Sequence, residues 1–371
     1  MSGNGGKANR AGVLICGAYG MRNAGDEAVL DAILAEMRSI DPDMPITVLS
    51  RNPAETRAQH GVEALHTFDL PGFLRAMRRC ELYVNGGGSL IQDVTSSRSL
   101  WYYLYTLSAA KKRGCKVMMY GCGVGPVNRP ANRRRAGRVI DRNVDAITLR
   151  EKSSLNVLRS LGVTKPEIAV AAEPALSLER APDETLDAMF RDYGMEKDGH
   201  YFCICVRRWR GMREKLPVFA AAADYAWEKY GMTPVLLSVN RQQDDDSARQ
   251  LRELSKAPCV VVTDTMRAEG VIGFLSRMDA VLAMRLHPLI FSASQSVPLI
   301  GVSYDPKVSA FLDDIDQTNY IEYDALTRAE QLYPMIDAAA HADREALREA
   351  TARLRKLERR NVETARRLLM M

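Results

Sequence analysis

No apolar run in this chain approaches the roughly 20 residues that a bilayer-spanning helix requires, and its opening, MSGNGGKANRAG, lacks the apolar region of a secretory signal. A cytoplasmic location is therefore expected. Cysteine is sparse and odd in number, with seven residues at 16, 80, 115, 122, 203, 205 and 259. An odd count in a leaderless chain argues against a disulfide framework. Cys203 and Cys205 lie inside the alternating run YFCICV, and no second pair completes a zinc-ligand spacing, so they read as core thiols on a strand. The glycine-rich stretch GAYGMRNAGDEA (17–28) has the spacing of neither a dinucleotide fingerprint nor a P-loop. No metal and no cofactor are expected, and activity should survive chelation. No nucleic-acid-binding motif accompanies the basic segments.

What is present is the composition of an ordinary globular protein, 46% apolar and 26% charged over 371 residues, a length that suggests two domains. The net charge of +5 is concentrated. Residues 129–142 hold six Arg against one Asp, and residues 341–371 hold nine Arg or Lys against five Asp or Glu. Clustered positive charge fits an anionic membrane surface or an anionic substrate; two solvated helix faces explain it as well.

Apolar runs alternate with helical periodicity along most of the chain. Residues 1–11 read as a disordered leader. GVLICG, ITVLS, LYVNGGG, KVMMYGCG, DAITLR and EIAVAAEPAL are predicted strands of a Rossmann-like domain over 12–180. A polar linker follows at 181–199. YFCICVR, PVLLSV, CVVVTD, AVLAMR and PLIGVSY predict a second Rossmann-like domain over 200–324. A charged helical segment, 325–371, closes the chain, with Leu347, Ala350, Leu354 and Leu357 on one side. The aromatic helix near 98–113, with Trp101, Tyr102, Tyr103 and Tyr105, reads as core in preference to a membrane-interface helix. The expected fold class is α/β, two doubly wound domains facing across a cleft, a GT-B-like architecture.

Open α/β sheets place ligands at the C-terminal ends of their strands. The stretch 284–307 puts Arg285 and His287 at one such end and Lys307 at another, beside helix N-termini that favour anions, so a phosphate or carboxylate is the natural guest. Arg150, ending DAITLR, and Arg207 and Arg208, ending YFCICV, are cations of the same kind. Gly86, Gly87 and Gly88 allow close approach of a ligand or another backbone, with Ser89, Gln92 and Asp93 beside them. Asn23 and Asp26 lie in the first glycine-rich turn; Gly17, Gly20 and Gly25 there are explained as readily by a tight turn with close helix packing.

Taken together, GAYGMRNAGDEAVL, NGGGSLIQD, GCGVGP, ITLREKSS, MRLHPLIFSA and GVSYDPKV resemble the polysaccharide pyruvyltransferase family, in particular its bacterial cell-wall branch, over about residues 13–312. The resemblance implies transfer of pyruvate from phosphoenolpyruvate to a sugar as a cyclic ketal. In the cell-wall branch the acceptor would be N-acetylmannosamine of a lipid-linked disaccharide, which places the enzyme at the inner face of the membrane. The family's arginine, histidine and lysine map onto Arg150, His287 and Lys307. Where the family usually has Asp, this chain has Glu173. Guanidinium forks suit a donor carrying phosphate and carboxylate, so Arg150 and Arg285 are assigned to these groups, Lys307 to the leaving phosphate and His287 to general acid–base work. Two other readings stay open: a GT-B glycosyltransferase using a nucleotide sugar, and an inert sugar-binding protein on the same fold. A dinucleotide-dependent oxidoreductase is weaker, lacking a fingerprint.

Overall fold

The protein is described from a computed structural model that covers residues 10–371; the predicted leader lies mostly outside them. Strands such as VLIC and VMMY carry apolar side chains at successive positions, the pattern of strands covered on both faces, and they pair in parallel throughout. The chain runs β1 (Val13–Tyr19), α1 (Ala24–Ile40), β2 (Ile46–Ser50), α2 (Pro53–His60), β3 (Glu63–His66), α3 (Leu70–Arg79), β4 (Leu82–Gly86), α4 (Ser97–Lys112), β5 (Lys116–Cys122), α5 (Pro130–Asn143), β6 (Ala146–Leu149), α6 (Ser153–Ser160) and β7 (Glu167–Val170). These strands form one sheet in the order β3-β2-β1-β4-β5-β6-β7. After α7 (Asp183–Asp192) come β8 (Tyr201–Cys205), α8 (Met212–Tyr230), β9 (Thr233–Leu237), α9 (Arg241–Leu254), β10 (Val260–Val262), α10 (Ala268–Ser276), β11 (Ala280–Ala283), α11 (Leu286–Ser294), β12 (Leu299–Ser303), α12 (Pro306–Asp314) and β13 (Tyr320–Glu322). The second sheet has the order β10-β9-β8-β11-β12-β13. Three helices follow: α13 (Tyr333–Ala340), α14 (Arg344–Glu358) and α15 (Arg360–Met370).

Both sheets are doubly wound, as expected, and each has one more strand than the apolar runs predict. The additional strands, β3 and β13, are edge strands of four and three residues whose side chains are mostly not buried. An edge strand needs only one covered face, so its sequence carries little apolar signal. All seven cysteines are free and buried, and Cys203 and Cys205 lie on β8 with their sulfurs 3.7 Å apart.

The chain divides into two compact units that depart from a linear partition. The first comprises residues 10–21, 29–174 and 356–371; the second comprises 22–28 and 175–355. In the first unit, α3 to α6 cover one face of the sheet through Phe73, Met77, Leu100, Leu104, Ile140 and Leu158. The other face is covered by α1 and α15, through Val29, Ile33, Met37, Ala365 and Leu368. The last helix is thus an integral layer of the first unit. In the second unit Phe202, Ile204, Phe219, Leu282 and Ile300 form the centre of a separate core.

Inside the first unit, Glu36 of α1 and Glu358 at the end of α14 form a buried carboxyl pair, 8% and 3% exposed. Burial raises both carboxyls, and the neighbouring Glu358 raises Glu36 further, to about 11. Asn361 Nδ2 also donates to Glu358, at 3.4 Å. The folded pair retains a proton that the unfolded chain releases. Its stabilising contribution is therefore full below the ordinary carboxylate range and declines as pH rises above it. We expect the melting temperature to fall between pH 7 and 10, and Glu36→Gln, which keeps a donor without an ionisable proton, to flatten that slope. An unchanged slope in calorimetry would place the retained proton elsewhere.

Candidate active site

In the second unit the strand order turns back between β8 and β11, the switch point where open sheets leave a crevice for ligands. Arg207 lies two residues beyond the end of β8 and Arg285 two beyond β11. Gln243, in the first turn of α9, joins them: its Oε1 accepts from Arg207 Nη2 at 2.9 Å and from Arg285 Nη2 at 3.1 Å. Asp244 beside it, 1% exposed, accepts from Arg285 Nη2 at 2.5 Å. Burial raises the Asp244 carboxyl, against the pull of Arg285. Arg207 is fixed from its other side by Tyr304, whose hydroxyl accepts from Nη1 at 2.6 Å, and its guanidinium lies 4.7 Å from the Tyr304 ring and 5.1 Å from that of Trp209. The Nε–H groups of both arginines are buried and without a protein acceptor. Two cations held this close by one neutral amide and one carboxylate retain excess positive charge, and their unpartnered donors suit an anion.

Arg285 is also the N-cap residue of α11, with no side-chain cap bond. His287 and Pro288 therefore fall in that helix's first turn, beside backbone N–H groups that favour negative charge. His287 is half-buried, its ring 5.9 Å from Phe291. What lies against it is the chain's first glycine-rich turn: a Cβ placed on Gly25 would stand 1.9 Å from His287 Nδ1. The Ala24 N–H donates to the Val239 carbonyl at 3.2 Å, anchoring this turn to the second unit. Asn23 and Asp26 brace the turn, with Asn23 Nδ2 donating to Asp26 Oδ2 at 2.6 Å and the Gly25 N–H to Asn23 Oδ1 at 3.3 Å. Lys307, after β12, pairs with Asp305 at 3.3 Å, and the same carboxylate caps α12.

In the first unit, Arg150 follows β6 and is 8% exposed. Its Nε donates to Glu151 at 2.7 Å, Nη1 to Glu173 at 2.8 Å and Nη2 to Ser89 at 2.9 Å. Burial works against the charged form, but Glu151 and Glu173 outweigh it and raise the guanidinium above its ordinary value. Glu173 is thus a direct partner of Arg150. Gly86 ends β4, and Gly87 and Gly88 follow it; Gly87 has φ +65°, and a Cβ there would meet Val29 of α1 at 1.9 Å, so helix packing alone requires it. Asp93 accepts from the Asn128 and Arg129 N–H groups and from Asn132 Nδ2, at 2.7, 3.0 and 2.9 Å, fastening the approach to α5. Gln92 closes its own turn on Val94 and Thr95.

The second unit thus joins Arg207 and Arg285 through Gln243 and sets His287 against the turn that Asn23 and Asp26 brace, while Lys307 lies 6.0 Å from the Tyr304 ring; Arg150, Gly86, Gly87, Gly88, Gln92 and Asp93 belong to the first unit. Gln243 and Asp244 were not singled out from the sequence. The signal was there, since QQDDD begins the helix after β9, at a third strand end beside the switch point, but an acidic helix start ordinarily faces solvent. Among the described residues no cluster of His, Cys, Asp or Glu is placed to hold a metal ion.

Two doubly wound parallel sheets with strand-end cations define an α/β protein of GT-B-like type, and solved structures agree. A UDP-GlcNAc 2-epimerase from Methanocaldococcus jannaschii superposes with TM-score 0.64 at 12% identity, covering 93% of this chain and 98% of its own. A glycosyltransferase from Rickettsia africae gives TM-score 0.63 at 10% identity, covering 98% and 99%. A search of curated sequences finds no match. The sequence model of the polysaccharide pyruvyl transferase family matches residues 23–306. The protein belongs to that family.

Proposed function

We propose that the protein transfers pyruvate from phosphoenolpyruvate to a sugar, closing a cyclic ketal and releasing phosphate, with N-acetylmannosamine of a lipid-linked cell-wall precursor as the acceptor. The observation that carries this reading is the Arg207–Gln243–Arg285 bridge at a switch point, beside His287, in a member of a pyruvyl-transfer family. One sugar hydroxyl adds to C2 of the enol while C3 takes a proton and becomes the methyl group. A second hydroxyl then forms its bond to C2 as the C–O bond to phosphate breaks. His287 moves the proton, Arg285 and Arg207 hold the donor's phosphate and carboxylate, and Lys307 neutralises the departing phosphate. In the first unit the corresponding candidate is Arg150. The lipid carrier of the acceptor puts the reaction at the inner face of the cytoplasmic membrane.

Incubation with phosphoenolpyruvate and the acceptor should release phosphate and add the mass of one pyruvate less one water to the sugar. Phosphoenolpyruvate at a hundred times its dissociation constant should stabilise the fold by about 2.7 kcal/mol, and Lys307→Ala should weaken that shift. A solved structural relative from Anabaena is described in complex with UDP-glucose, so nucleotide sugars belong in the same panel. Stabilisation by a nucleotide sugar and none by phosphoenolpyruvate would replace this reading with glycosyl transfer.

A further inference from the structure

The two basic segments differ once their partners are known. In the C-terminal one, six of the nine cations are engaged: Arg348, Arg353 and Arg367 pair with Glu345, Asp316 and Glu167, and Arg344, Arg355 and Arg360 donate to backbone carbonyls; the exposed Lys356, Arg359 and Arg366 share their segment with five acids, which dilute its charge. In α5 the exposed Arg134, Arg135, Arg138 and Arg142 recur at helical spacing along one face, and none pairs with a carboxylate among the described residues. The single acid of α5, Asp141, accepts instead from the Thr164 and Lys165 N–H groups at 2.7 and 2.9 Å.

The neighbouring helix α4, SRSLWYYLYTLSAAKK, contains no acid at all. Leu100, Tyr103, Leu104 and Leu107 make its buried side; the core reading holds for Tyr103 and fails for Trp101 and Tyr105, which face outward because they fall on the opposite side of the helix. The opposite stripe is Arg98, Trp101, Tyr105 and Lys112, with Trp101 45% and Tyr105 46% exposed. The two stripes adjoin: the Trp101 indole N–H donates to Asn132 of α5 at 2.9 Å, and the Arg135 guanidinium lies 5.3 Å from the Trp101 ring. The two helices together present arginine, lysine, tryptophan and tyrosine, joined at Trp101, and their one acid, Asp141, is half-buried and occupied by backbone N–H groups.

We propose that this α4–α5 face docks on the surface of an anionic phospholipid bilayer. Basic side chains without acidic neighbours are drawn to anionic headgroups, and Trp and Tyr favour the headgroup level, where an apolar ring and a polar tip are both accommodated. The proposal concerns where the enzyme sits and stands apart from the chemistry proposed above.

The test is cosedimentation of the full chain with vesicles of phosphatidylcholine alone and with added phosphatidylglycerol. The wild type should sediment with the anionic vesicles only. At about fivefold per basic residue, Arg134→Gln/Arg135→Gln/Arg138→Gln should lose about a hundredfold in affinity, and Trp101→Ala a further share. Arg348→Gln/Arg359→Gln/Arg366→Gln, in the C-terminal segment, should bind as the wild type does. Melting curves verify that each variant is folded, and pyruvyl transfer to a soluble acceptor fragment should be unchanged in the α5 variant. Equal recovery with neutral and anionic vesicles overturns the proposal, as does a loss that follows the C-terminal variant. Capture by polyuridylate with no vesicle binding would assign the face to nucleic acid instead.

Discussion

Substituting His287 with alanine is expected to lower the rate of pyruvyl transfer by about 10²–10⁴-fold, while phosphoenolpyruvate still raises the melting temperature through Arg207 and Arg285. The sharper form of the experiment leaves the imidazole in place. Gly25→Ala puts a methyl group where His287 Nδ1 now lies, 1.9 Å from the new carbon. One of the two must move by more than an ångström, and a misplacement of that size costs about 10²-fold in rate. If Gly25 acts through the imidazole, the double variant should be no slower than His287→Ala alone, since the two changes remove one function. Additive losses would mean that Gly25 serves the fold of the first turn only. A full rate in His287→Ala would remove that residue from the chemistry altogether.

The largest effect on stability is expected at Arg150. Arg150→Ala leaves Glu151 and Glu173 in the interior with their shared cation gone, a change of about 3–5 kcal/mol for a buried pair broken on one side. The melting temperature should drop on the order of 10 °C. Arg150→Met/Glu173→Met, which removes the pair together and fills the space, should recover part of the loss. Arg150→Lys should fall between, because one ammonium cannot reach Glu151, Glu173 and Ser89 with the geometry of the three-way fork. If all three variants melt with the wild type, the carboxylates have another neutralising partner.

Much of the architecture was legible because strands covered on both faces spell unbroken apolar runs: LYV and VMMY can hardly be anything else. EALH and YIE carried no such mark, being edge strands. In the site, cations at strand ends were readable because parallel topology dictates where strand ends meet. What the sequence withheld was pairing at a distance. Nothing local in GMRNAGDEA says that Gly25 is small because an imidazole more than two hundred residues away occupies the adjoining space. Nor does an acidic run such as QQDDD declare that its second Gln and first Asp turn inward to two arginines. Asp93 and Gln92 show the reverse difficulty, since a polar side chain after a glycine turn looks the same whether it meets a ligand or fastens the loop behind it.

The division of the chain also bears on how the protein is made. Ala365 and Leu368 complete a core begun by Val13 and Ile15, so the first sheet cannot be fully clad until the last helix has left the ribosome. The turn at 22–28 is synthesised long before the α11 helix against which it rests. Contacts this remote in sequence form late. During synthesis α1 covers its share of that sheet face early, and the share of α15 stays open until the chain is nearly complete. A gene cut after residue 174 would encode neither unit whole.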